Sequence, residues 1–114
     1  MAMNLSTAER DGIVIITLDG AILGGPEASA LNNELHRMIT AGTLRAVIDL
    51  SSVSLMNSSG LGMLISSYTA LKNAGGELRL AGANEKIRTL LTIAKLQGIF
   101  RSLPTVEEAV ASFV

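Results

Sequence analysis

Two adjacent hydroxyls, Ser58 and Ser59, stand between Asn57 and Gly60, in a stretch with no charged residue between Asp49 and Lys72. Seven serines fall between Leu50 and Tyr68. Three kinds of chemistry suit such a pair. First, a serine at a helix start caps it by accepting a hydrogen bond from an amide two or three residues on, and Ser58 or Ser59 is placed to do so for a helix beginning near Gly60. Second, a hydroxyl at that position is exposed and can accept a phosphoryl group, because a phosphate there would meet free amides and the positive end of the helix dipole. Phosphorylation adds about two negative charges, enough to abolish binding to a partner shaped for the neutral surface. Third, a serine can be a nucleophile, which requires a G-x-S-x-G elbow or a nearby base. Met56 stands where the elbow's first glycine would be for Ser58, and Asn57 where it would be for Ser59. The one histidine, His36, reads as a solvated helix residue rather than a base.

The elements that would position these serines are marked by turn signals. Leu5–Arg10 and Ile13–Leu18 flank Asp11-Gly12, a dipeptide suited to a tight hairpin. Ile13 to Ile16 form an apolar run expected of a strand covered on both faces. Gly24-Gly25-Pro26 then breaks the chain, and from Glu27 the positions Leu31, Leu35, Met38 and Ile39 recur at helical spacing up to a stop at Gly42. Leu44–Leu50 reads as a second buried strand, and Ser51–Gly62 as its handover to a helix from about Gly60 to Asn73. That helix would face the core with Leu61, Leu64, Ile65, Tyr68 and Leu71. Gly75-Gly76 ends it, Glu77–Ala81 is a strand, and Asn84 caps a helix carrying Ile87, Leu90, Leu91 and Ala94 that stops at Gly98. Ile99–Leu103 suits a short edge strand before Pro104, and Thr105 with Glu108 matches a capping box for a final helix. Strands alternating with helices give an α/β class: a mixed β-sheet of four to five strands with parallel crossovers, beginning with an antiparallel hairpin.

Composition narrows the functions this scaffold can carry. The chain has 114 residues, 48% hydrophobic and 17% charged, which suits one domain, 1–114, with a single core. A net charge of −1 with scattered basic residues offers no footprint for nucleic acid or an anionic membrane. With no cysteine and one histidine, a structural zinc site is not expected. The uncharged run is too rich in serine to enter a bilayer, so no direct membrane insertion is expected. The first ten residues lack the basic and apolar segments of a signal peptide, and a cytoplasmic location is expected. Met56 and Met63 flank the serine loop. Either fills core, or an exposed Met63 would suit an adaptable contact surface.

The segment Ser54-Leu55-Met56-Asn57-Ser58-Ser59-Gly60-Leu61-Gly62, following the strand from Val47 to Val53, resembles the phosphorylation loop of anti-sigma factor antagonists, the STAS-domain family. Gly75-Gly76-Glu77-Leu78-Arg79-Leu80 is similar to that family's glycine-pair step into a strand, and the order of elements fits along almost the whole chain. The resemblance implies a STAS-type domain that is no enzyme and carries no cofactor or metal. It would be the substrate of a partner serine kinase, an anti-sigma factor that holds a sigma factor inactive. Ser58 would be the phosphorylated position, with Ser59 second, and a phosphatase would restore the binding form. The partner surface would comprise Leu23, Gly24, Gly25, Asn57, Ser58, Ser59, Gly60, Met63 and Ser67. This chain departs from the family pattern at Asn57, often an aspartate, and at Leu23, where many members carry an acid. Both changes imply a partner less basic than that of the better-known antagonists. The alternative is a non-phosphorylated docking subunit of a transporter or lipid-trafficking complex.

Overall fold

Asp11 and Gly12 take left-handed backbone conformations, with φ of 55° and 77°. Successive left-handed residues match the twist of paired strands, and aspartate and glycine tolerate them best. They close the hairpin between β1 (Asn4–Arg10) and β2 (Ile13–Ile22), which pair antiparallel from Arg10↔Ile13 to Asn4↔Asp19. The computed structural model describes residues 3–25 and 27–113, so Pro26, expected to help break the chain, lies outside the described residues. The chain continues through α1 (Glu27–Thr40), β3 (Arg45–Met56), α2 (Ser58–Asn73), β4 (Glu77–Ala81), α3 (Glu85–Ile93), β5 (Arg101–Leu103) and α4 (Val106–Ala111). The five strands lie in the order β1-β2-β3-β4-β5, and every pair after the hairpin is parallel. This is the mixed sheet expected from the alternation of elements.

Alternation along the strands divides the apolar residues between two faces. Val14, Ile16, Leu18, Ala46, Ile48 and Leu80 point to the side covered by α1, α2 and α3, where Leu35, Leu64 and Leu91 meet them. Ile13, Ile15, Val47 and Ala81 point to the other side and are covered by Ala109 and Val110 of α4. The Arg79 guanidinium lies over the Phe113 ring at 4.4 Å and its Nε donates to Ser112 Oγ at 3.0 Å, tying the end of α4 to β4. Among the described residues no helix is long and apolar enough to cross a membrane.

Several boundaries differ from the sequence expectation: β2 runs past Leu18 to Ile22, α3 ends at Ile93 rather than at Gly98, and β5 begins at Arg101 rather than Ile99. β3 does not end at Leu50 but runs on to Met56, and α2 begins at Ser58 rather than near Gly60. The core-facing residues of β3 are Ala46, Ile48, Leu50, Val53 and Met56, so the spacing changes from two to three. Register with β2 shifts at the same places, from Thr17↔Asp49 to Asp19↔Ser52 and from Gly20↔Val53 to Ala21↔Leu55. Each shift is a bulge, which adds one residue to β3 and turns its side chains over. On α2, Ile65 is exposed instead of facing the core, because the buried face runs through Gly60, Leu61, Met63, Leu64, Ser67 and Leu71.

Candidate functional site

The serine pair sits where β3 passes into α2. The Asn57 amide donates to the Ile22 carbonyl at 3.3 Å, which fastens the helix start to the end of β2. On the other side the Asn84 side chain donates to the Val53 carbonyl at 3.1 Å and accepts from the Ile87 amide at 2.9 Å. One asparagine therefore both caps α3 and anchors β3 near its end.

The cap of α2 is Asn57, not Ser58 or Ser59 as the sequence reading allowed. Its backbone is extended, with φ −106° and ψ −175°, and its Oδ1 accepts from the Gly60 amide at 2.8 Å. Asparagine is as good an N-cap as serine, and the shorter serine reach is not needed once residue 57 stands at the junction. Ser58 and Ser59 become the first two helical residues, both exposed. The first turn of α2 carries no acidic residue, so no carboxylate of the helix itself offsets the positive end of its dipole.

Two glycines set how closely the neighbouring loop approaches. A Cβ on Gly60 would lie 2.0 Å from the Ile22 carbonyl oxygen, so only glycine lets α2 dock on the end of β2. Gly24, with φ +81°, packs on the Ser59 side chain, whose Cβ would be 2.7 Å from a Cβ placed there. The Leu23–Gly25 turn thus rests against Ser59. Ser59 lines a groove with Gly24, Gly25, Asn32, Gly62 and Ser66, and Met63 also borders it.

The structure brings Leu23, Gly25, Asn57, Ser58 and Ser59 together as an exposed rim. Gly24 and Gly60 belong to the same place but are buried beneath it. Met63 and Ser67 must be corrected: they were expected on the exposed side of the helix, yet they are only 6% and 0% exposed. They are four residues apart and share the inward face, where the Ser67 hydroxyl donates to the Met63 carbonyl at 2.9 Å. The exposed side of α2 is formed instead by Ile65, Ser66 and Thr69. Sequence reasoning missed Leu55, which is 51% exposed beside the loop. The three-residue spacing Leu50, Val53, Met56 was the available signal, since it leaves Leu55 off the core face.

Asn57→Ala is expected to remove about 1 kcal/mol of stability and to lower the melting temperature by about 4 °C. Asn57→Asp keeps the cap and adds a charge favourable to the dipole, so it is expected to melt no lower than the parent. Thermal denaturation of the three chains checks the order.

The STAS domain family matches residues 4–109 of this chain. The anti-sigma F factor antagonist of Paenibacillus polymyxa is 30% identical over 116 residues, covering 96% of this chain and 92% of that protein. Among solved structures, an anti-sigma factor antagonist from Mycobacterium paratuberculosis is similar with a TM-score of 0.83 at 23% identity, over 97% of this chain and 93% of the other. A sulfate transporter family protein from Wolinella succinogenes is similar with a TM-score of 0.79 at 17% identity, over 92% of this chain and 87% of the other. At such identities these two structures share the fold.

Proposed function

The chain belongs to the STAS-domain family of anti-sigma factor antagonists, and from that premise we propose that it binds an anti-sigma factor kinase, frees the sigma factor held there, and is switched off by phosphorylation of Ser58. The observation that carries this reading is the cap. Because Asn57 satisfies the Gly60 amide, the Ser58 hydroxyl is exposed at the helix start and is not needed to hold the fold. In the transfer, the Ser58 oxygen bonds to the terminal phosphorus of ATP, the bond to the bridging oxygen breaks, and ADP leaves. The hydroxyl proton passes to a base of the kinase, which also holds the nucleotide and its magnesium. This chain supplies the acceptor and its presentation, and acts as substrate rather than enzyme. A phosphatase returns it to the binding form, and the whole cycle runs in the cytoplasm.

The packing around the two serines supports Ser58 over Ser59. Ser59 is backed by Gly24 and turned to the groove beside α1, so an approaching active site reaches Ser58 first. The first turn of α2 has no carboxylate of its own to repel the new charge. Incubation with the anti-sigma factor kinase of the same genome and ATP, followed by mass mapping, is expected to place one phosphate on Ser58. A phosphate elsewhere would overturn the assignment. A chain that binds a membrane transporter and takes no phosphate from any such kinase would be a permanent docking subunit instead.

A further inference from the structure

Leu23 and Leu55 are exposed leucines on neighbouring chain segments, 40% and 51% exposed. Ala21 pairs with Leu55 in the β2–β3 register, and Leu23 lies two residues beyond Ala21. Leu23 therefore follows directly on the end of β2, the strand that pairs with β3 where Leu55 sits. Ile22 and Met56, the alternating neighbours, point into the core under α1 and α2. Leu55 therefore belongs to the opposite side of the sheet, and neither it nor Leu23 joins either apolar cluster.

Leu55 is outside because of the second bulge. Regular alternation from Val53 would bury residue 55 and expose residue 56. Ser54 has no register partner, so Leu55 turns out and Met56 turns in. The Ser54 hydroxyl donates to the Gly20 carbonyl at 3.2 Å and clasps the irregularity. A bulge beside a functional loop re-aims a side chain, here a large apolar one. Ser58 follows three residues later. No charged residue occurs from Leu50 to Leu71, and the groove on the Ser54 side offers Glu85 and Lys86 together.

We propose that Leu23 and Leu55 form the apolar anchor by which the unphosphorylated chain holds its anti-sigma factor, and that the partner meets them with an uncharged apolar pocket. This rests on the function proposed above and adds the chemistry of the contact. Binding then draws on desolvated leucines rather than on charge pairs, and it turns off because a phosphate beside the anchor cannot be stripped of water. The lack of a carboxylate at positions 23 and 57 belongs to the same design, since an acid there would sit against an apolar wall.

Calorimetric titration against the anti-sigma factor kinase of the same genome tests it. Leu23→Ser and Leu55→Ser are each expected to weaken binding at least about tenfold, while Leu55→Met binds as the parent does. Ile93→Ser, at an exposed apolar residue at the far end of α3, leaves affinity unchanged. The parent's affinity changes less than about threefold over a tenfold rise in salt. Serine variants that melt like the parent and bind within about twofold of it overturn the anchor, as does binding that collapses with salt. In both cases the partner and the Ser58 switch stand. A parent chain that binds no such kinase overturns the anchor and the proposed function together.

Discussion

Ser58→Glu is expected to bind the anti-sigma factor at least about 30-fold more weakly than the parent, a loss of about 2 kcal/mol. Ser58→Ala is expected to bind as the parent does and to take up no phosphate. The opposite outcomes follow from where the side chain sits. Ser58 is exposed at the first turn of α2, and the helix is capped by Asn57, so neither substitution removes a contact that holds the fold. The alanine leaves the rim neutral. The glutamate puts a charge into a surface with no charged residue from Leu50 to Leu71, and a partner closing over it must bury that charge without a counter-ion. Affinity measured for each variant, beside its melting temperature, checks the prediction. Equal melting with divergent binding is the expected pattern.

Gly60→Ala and Gly62→Ala are expected to change stability in opposite directions, although the residues lie two apart on one helix. A Cβ at position 60 would come within 2.0 Å of the Ile22 carbonyl oxygen and 2.7 Å of its carbon. These are backbone atoms of the longest-paired part of the sheet, so α2 itself must move away. The expected cost is about 3 kcal/mol, or a melting temperature lower by about 12 °C. At Gly62 a Cβ meets nothing within 4 Å. There the alanine reduces the freedom of the unfolded chain and suits a helix interior, for an expected gain of about 0.5–1 kcal/mol. Gly60→Ala also shifts the Asn57 cap that presents Ser58, so its phosphorylation by the kinase is expected to slow, while Gly62→Ala leaves the rate unchanged. Thermal denaturation and a phosphorylation time course on both variants read out the contrast.

Much of this architecture is legible because local chemistry and global fold agree. Asp11-Gly12, the helical spacing of Leu31, Leu35 and Met38, and the caps at Asn84 and Thr105 each have a short-range cause, and each is found in place. The end of β3 was harder to read for a physical reason. Two bulges change the spacing of its buried residues from two to three, and Leu50, Val53, Met56 then matches neither a strand nor a helix stripe. The serines that fill the gaps read as a loop, although they are strand residues on the exposed face. The cap went to the wrong residue because Asn57, Ser58 and Ser59 all favour that position, and only the placement of the Asn57 amide on Ile22 decides among them.

The partner rim was legible as a segment but not side chain by side chain. A run without charges leaves the rotation of α2 undetermined, since Met63, Ile65 and Ser67 differ too little in polarity to mark the inward face. Tertiary packing put Met63 and Ser67 inside and left Ile65 out. The close approaches at Gly24 and Gly60 are likewise contacts between segments far apart in sequence, and a glycine in a sequence does not state what it touches.

Affinity for the anti-sigma factor, measured on one preparation before and after complete phosphorylation at Ser58, tests the switch most directly. The expected result is tight binding by the unmodified chain and at least about 30-fold weaker binding by the phosphorylated one, with full recovery once the phosphate is removed. Equal affinity of the two forms would contradict it.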